Sequence, residues 1–156
     1  MARRLHLLHA ADHPLFVPAA DFEAQYLKSV GGDLDAGGYH LAVAEVQAEI
    51  QGDGEAAPAG FADAYIWTFP YLDESRRGFL SSLYVEPGYR GQGVGRALVA
   101  HLHRWLEGEG VAHVELNVSS ANAAAMQFWS RAGYEPYVQR LVFGLTAAQP
   151  AEIPRQ

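Results

Sequence analysis

The sequence predicts a single α+β domain, a sheet with helices packed on it. Three observations point there. An apolar run at 79–85, closed by Glu86-Pro87-Gly88, leads through Arg90-Gly91-Gln92-Gly93-Val94-Gly95 into a segment whose Val94, Ala97, Leu98, His101, Leu102 and Trp105 recur at helical spacing. Two alternating segments precede this unit, and a second strand and helix follow it. The chain has 156 residues, 49% hydrophobic and 12% aromatic, enough to bury one full core.

In chain order, Leu5 to Leu8 is short and apolar and reads as a first strand. The region from Ala10 to Val30 has helical character, and Pro14 and Pro18 divide it into two helices. Asp21 stands where an N-cap belongs, with Phe22, Tyr26 and Leu27 on one face behind it. Gly31-Gly32 and Gly37-Gly38 then punctuate the chain. Tyr39 to Gln47 alternates as a strand, and Gly60 to Phe69 is another. Between them, 51–58 is small and polar, as a hairpin loop is. Pro70 to Arg77 turns into the strand at 79–85. Gly108 and Gly110 end the helix after the glycine run, Val111 to Val118 is the next strand, and Ala121 to Ala132 is a helix closed by Gly133. A final strand is expected over Tyr137 to Leu145. The domain is expected to span 1–145, and 146–156, with Pro150 and Pro154, to be a fraying tail.

Composition narrows the chemistry. A formal charge of −7 disfavours nucleic acid and favours cationic acceptors. There is no cysteine, which excludes disulfides, thiolate metal sites and a cysteinyl acyl-enzyme. His9 and His13 lie one turn apart, but the intervening Glu of a zinc motif is missing, so no metal is expected. No apolar window reaches membrane-span length and the N-terminal run stops short of a signal core, so the expected location is the cytoplasm.

Glycines at 91, 93 and 95 leave backbone amides uncovered where a helix begins, a setting suited to a pyrophosphate. A dinucleotide fingerprint is excluded because Arg96 occupies the position of its last glycine, and a Walker loop because no Gly-Lys-Ser/Thr exists. A ligand-free glycine turn remains the plain alternative.

The stretch Val85 to Leu98 resembles the acetyl-CoA signature of the GNAT N-acetyltransferase superfamily, Arg/Gln-x-x-Gly-x-Gly/Ala. Val114-Glu115-Leu116-Asn117-Val118 and Asn122 to Tyr134 resemble the strand, Asn-x-x-Ala helix and Gly-aromatic turn of the same family, so the likeness covers 79–134 closely. The resemblance implies a mixed, mostly antiparallel sheet splayed between the strands at 79–85 and 111–118. It also implies acetyl-CoA as cosubstrate in that splay. The backbone of Arg90, Gly91, Gln92, Gly93, Val94, Gly95 and Arg96 then holds the diphosphate, and Leu83, Tyr84 and Val85 pair with the pantetheine arm. Asn122 contacts the pantetheine or diphosphate, or simply caps its helix. Phe128 and Trp129 wall the cofactor, and Arg131 approaches the 3′-phosphate or is a solvated charge. The Val85 amide is the implied oxyanion donor.

Two departures from the family pattern bear on catalysis. The usual tyrosine acid of a Phe-Tyr pair is replaced in Phe128-Trp129, and indole is no acid. Tyr84 and Tyr134 do not align with it. An acidic pair before Leu-Tyr-Val is replaced by Ser81-Ser82, of which alternation allows at most one, Ser82 being our candidate, to face the acceptor. Among carboxylates, Glu115, on a strand expected to be buried, precedes Glu45, Asp21 and Glu23 as candidate base. Trp67, Phe69 and Tyr71 are either acceptor-pocket walls or core. The expected activity is direct acetyl transfer to a primary amine of a small molecule (amino acid, polyamine-like or aminoglycoside). The rivals are a protein or peptide N-acetyltransferase and a catalytically silent acyl-CoA-binding module. The apolar segment from Val138 to Leu145 offers an edge for a homodimer.

Overall fold

The computed structural model describes residues 1–36, 38–46 and 56–142. A four-stranded sheet has the order β1 (Tyr39–Val46), β2 (Ala57–Thr68), β3 (Arg76–Val85), β4 (Val114–Leu116). β1–β2 and β2–β3 are antiparallel and β3–β4 is parallel, so the sheet is mixed and mostly antiparallel, as expected. Helices α1 (Ala2–Asp12) and α2 (Phe22–Ala36) lie against one face. Helix α3 (Val94–Gly108) packs on the other, followed after β4 by α4 (Ala123–Arg131).

The expected strand at Leu5–Leu8 lies inside α1. Its segment contains no β-branched residue, and Ala, Arg and Leu are strong helix formers, so local propensity overrides the short apolar run. Leu5 alone is buried there, against Phe61 and Tyr84. Two helices do flank the prolines, but their bounds differ from the expected 10–30: α1 starts at Ala2 and ends before Pro14, residues 14–16 form a 3-10 turn, and α2 extends to Ala36. Helix α2 begins after Asp21, whose carbonyl accepts from the Gln25 amide and whose carboxylate accepts from the Gln25 side chain. It runs through Gly31-Gly32, because neither adopts the left-handed conformation that ends a helix. Residues 137–142 are exposed and form no strand, so the described part of the expected final strand is corrected. This removes the edge offered for a dimer over those residues. Residues 143–145, most of the loop at 51–58 and the tail at 146–156 lie outside the described residues.

The main core joins Ala42, Ala62, Ala64 and Leu80 of the sheet to Leu98, Val99, Leu102 and Leu106 of α3. Alanines on the sheet let the leucine stripe of α3 approach closely. At the margin, His40 of β1 stacks on Trp105 of α3, with ring centroids 5.0 Å apart, and its Nε2 lies 2.9 Å from that of His101. Burial, and then His101, hold the His40 imidazole below its ordinary 6.5. The unfolded chain therefore binds the proton more readily, so the stability from this pair is complete above pH 6.5 and is lost as pH falls below it. The expected result is that His40→Gln loses less melting temperature than the parent when pH is lowered from 7.5 to about 5.

Candidate active site

Register defines a gap in the sheet. β3 pairs with β4 only at Gly78, Phe79 and Leu80, and beyond Leu80 the two strands part. On its other side β3 stays paired with β2 through Val85. The Glu86 amide donates to the Ala59 carbonyl at 2.8 Å, which marks Gly60–Val85 as a pair whose own backbone groups turn away from each other. The N–H and C=O of Val85, and by alternation those of Leu83, therefore point into the gap. Those of Tyr84 point to Phe61. Of the three residues expected to pair with an extended ligand, Leu83 and Val85 turn backbone groups into the gap, while those of Tyr84 are turned to β2.

At the head of the gap the chain makes a short 3-10 turn (Pro87–Tyr89) and then the glycine turn. Gly91 and Gly93 have φ of +75° and +87°, values that side chains strain to adopt, and Gly93 is the residue before α3. No side chain caps this helix, and its first internal bond runs from Ala97 to the Gly93 carbonyl at 2.9 Å. The amides of Val94, Gly95 and Arg96 thus have no intrahelical acceptor. Arg90 and Gln92 brace the turn instead of covering it. Arg90 Nε donates to the Val85 carbonyl at 3.0 Å with its guanidinium over the Tyr84 ring, and Gln92 Nε2 donates to the Gly88 carbonyl at 2.8 Å. A Cβ built on Gly91 or Gly93 would meet no atom within 4 Å, so the space before the amides is open. Gly95 lies under Phe128, whose ring a Cβ there would touch at 3.5 Å.

From α4, Asn122 caps its helix, Oδ1 accepting from the Ala125 amide at 2.9 Å, which leaves the side-chain NH2 free to donate. Asn122→Ala is expected to lower stability by about 1 kcal/mol, read from denaturant midpoints. Trp129 is buried in the main core, in edge contact with Phe128 and Tyr134, so packing accounts for it and it does not take the place of the missing acid. Arg131 is exposed in the last turn of α4. Neither alternative tyrosine is free. The Tyr84 hydroxyl donates to Glu86, itself held by Arg4, and the Tyr134 hydroxyl lies 2.7 Å from His103 Nε2, with burial pushing the phenol up to about 12.

The remaining candidates lie on the sheet face that carries α1 and α2. Glu115 is engaged by Arg77 at 2.9 Å, which weakens its standing as a free base. Trp67 and Phe79 stack at 5.2 Å, Phe69 and Tyr71 continue the aromatic row, and Trp67 and Tyr71 remain largely exposed. Glu45 is exposed on β1, and Glu23 is paired with Arg3 at 3.2 Å.

The carboxylate that the sequence reading missed is Asp63. It is 2% exposed, on the α1–α2 face of β2 between Phe61 and Tyr65, and is the Cα partner of Ser82. Burial raises its pKa, and the hydroxyls of Ser82, Tyr39 and Ser81 act against that rise. Both serines reach it because β3 bulges: Asp63 opposes Ser82 while Ala64 opposes Leu80, leaving Ser81 as the extra residue. The expectation that only one of them could face this side is corrected for that reason. An acid in the apolar run Gly-Phe-Ala-Asp-Ala-Tyr-Ile-Trp was the available signal.

A profile of the Acetyltransferase (GNAT) family matches residues 4–134. This chain belongs to the GNAT acetyltransferase family. Among relatives of the GNAT chain, the ribosomal protein bS18-alanine N-acetyltransferase of Escherichia coli K12 is 41% identical over 71 residues, 46% of either protein. Aminoglycoside N(6')-acetyltransferase type 1 of Klebsiella aerogenes is 35% identical over 99 residues, 62% of either. The chain spans about half the length of the curated relatives it matches. Among solved structures, the aminoglycoside N-acetyltransferase AAC(6')-Iy in complex with CoA superposes with a TM-score of 0.60 at 26% identity, over 80% of this chain and 88% of that one. A Bacillus halodurans protein shares the fold at a TM-score of 0.73 and 17% identity, over 93% of this chain and 89% of that one. No helix among the described residues is long and apolar enough to cross a membrane.

Proposed function

We propose that this chain transfers the acetyl group of acetyl-CoA to the primary amine of a small molecule in a ternary complex. The observation that carries the reading is the pair of features at one end of the gap: uncovered amides at the glycine turn and outward-facing backbone groups on β3. The residues present fit the cosubstrate, because Gly91 and Gly93 leave open the space that a diphosphate needs. In this reading the amides from Gly91 to Arg96 hold the diphosphate, and Leu83 and Val85 hold the pantetheine amides as an added strand does. Asn122 donates to the arm through its free NH2, Phe128 closes over Gly95, and Arg131 lies toward the 3′-phosphate. Bound acetyl-CoA supplies an activated thioester, and because the arm runs from the glycine turn past Val85 toward Ser81, the Leu83 amide, in place of the Val85 amide that the family resemblance implies, stabilises the charge that develops on its carbonyl oxygen. A thiol pKa near 8.5 lets the sulfur depart without a dedicated acid, which suits a site whose tyrosines are otherwise engaged.

The −7 charge and the aromatic row beside β3 favour a cationic acceptor. AAC(6')-Iy and the Klebsiella relative, named for aminoglycosides, support a small-molecule amine. The ribosomal-protein relative keeps a peptide amine as the second reading. The test is thiol release from acetyl-CoA with a panel of diamines, amino acids, aminoglycosides and N-terminal peptides. Turnover with small amines supports the proposal, turnover with peptides alone selects the second reading, and CoA binding with no turnover for any acceptor indicates a silent module.

A further inference from the structure

Among the described residues, Asp63 is a buried carboxylate to which the proposed acetyl transfer gives no task. Asp63 is closed in by His6 from α1, Tyr26 from α2, Tyr39 from β1 and the two serines of the β3 bulge, with Tyr65 next along its own face and Asp33 of α2 acting on Tyr39. Its Oδ1 is fully enclosed and has no hydrogen-bond partner. A buried carboxylate oxygen left unsatisfied costs stability, and packing or an ion pair does not account for this one. Its position does. Leu80 is the last residue of β3 paired with β4, so the gap opens at Ser81, and Ser81 is exposed there while Ser82 sits buried directly opposite Asp63. The glycine turn and α3 serve the opposite face of the sheet. An acceptor approaching from the α1–α2 face therefore meets the Ser81–Ser82 bulge at the mouth of the gap, with Asp63 directly behind it.

We propose that Asp63 is the proton acceptor of the transfer, reached through the hydroxyls of Ser81 and Ser82. This rests on the acetyl-transfer reading and adds the base that reading lacks. The acceptor's ammonium gives a proton to a serine Oγ as that hydroxyl gives its own proton to the Asp63 carboxylate. The freed amine lone pair forms the C–N bond at the thioester carbonyl, and the C–S bond then breaks. The departing thiolate takes the second nitrogen proton to become the thiol, and Asp63 returns its proton to water. Ammonium plus acetyl thioester thus becomes amide, thiol and one proton. Burial favours the neutral acid, which helps the carboxylate take a proton, and the surrounding hydroxyls favour the ionised form and act against that rise.

The test is the pH profile of kcat/KM for the best amine of the panel, in the full chain, alongside CoA affinity. The wild type is expected to rise as Asp63 ionises and then stay level until the acceptor amine itself deprotonates, near 10.4 for an alkyl amine. In Asp63→Asn the level region is replaced by a line rising tenfold per pH unit up to the amine pKa, with kcat/KM near neutrality about 10²- to 10⁴-fold lower and CoA affinity unchanged. Asp63→Glu restores part of the level region. A purely structural role lowers the whole profile without changing its shape. Should Asp63→Asn not fold, Ser81→Ala combined with Ser82→Ala carries the same expectation. A variant profile parallel to the wild type's overturns the relay and leaves the acetyl-transfer reading standing. CoA binding without turnover of any amine by the wild type overturns both.

Discussion

Gly93→Val is expected to weaken CoA binding by at least about 30-fold while leaving the fold intact. An L-residue in the left-handed region costs about 1–2 kcal/mol, which alone is about 5- to 30-fold in affinity if binding requires this backbone shape. The φ of +87° at Gly93 is such a position, and valine, branched at Cβ, pays toward the upper end. The second contribution is steric. The space before Gly93 holds no protein atom within 4 Å of a built Cβ, so the added methyls occupy the room in which the anion meets the amides. Because no neighbour is displaced, the cost to the apo protein is limited to that backbone strain, about 1–2 kcal/mol. Gly108→Ala, at the far end of the same helix with neither a positive φ nor a neighbour within 4 Å, is expected to keep full CoA affinity. Titration calorimetry on both variants checks this, and undiminished affinity in Gly93→Val would show that the turn does not hold the diphosphate.

Gly60→Ala should be the most damaging single methyl in the sheet. Its Cβ would stand 2.6 Å from the Tyr84 carbonyl oxygen, 3.2 Å from the Val85 Cα and 3.4 Å from a Leu98 methyl. The first two obstacles are backbone of the central strand and cannot rotate away, so β2 and β3 must part. Overpacking of this kind costs about 3 kcal/mol, or about 6–12 °C of melting temperature for a domain of this size. The displaced strand is the one that presents Leu83 and Val85, so acetyl transfer is expected to fall further than CoA affinity. A melting temperature equal to the parent's would mean that β2 and β3 are packed less tightly than these distances require.

Much of this was legible in the sequence because the signals were local. The strand at 79–85, the glycine turn and the helix behind it lie within a stretch where propensity, periodicity and motif agree, and the family motifs run through it. Leu5–Leu8 failed for the converse reason: four apolar-looking residues do not distinguish a strand from one turn of helix, and the absence of β-branched residues over 2–12 was the stronger cue. Strict alternation puts Ser81 and Ser82 on opposite faces, and a bulge, which depends on the register with β2, is not visible in β3 alone. Asp63 needed the tertiary structure most. Its importance lies in being covered by α1 and α2, and sequence reveals an isolated acid in an apolar strand but not what closes over it. Glu115, favoured as buried, is met by Arg77 across the β3–β4 pairing, a partner 38 positions away in the chain.

In the proposed function, the amides of residues 91–96 grip the diphosphate of CoA. The most direct measurement compares calorimetric titrations of the full chain with CoA and with pantetheine, which has the same arm and no diphosphate. The predicted result is saturable one-site heat for CoA and an affinity for pantetheine at least about 100-fold lower, a difference of about 2.7 kcal/mol. Equal affinity for the two, or no heat with CoA, would contradict it.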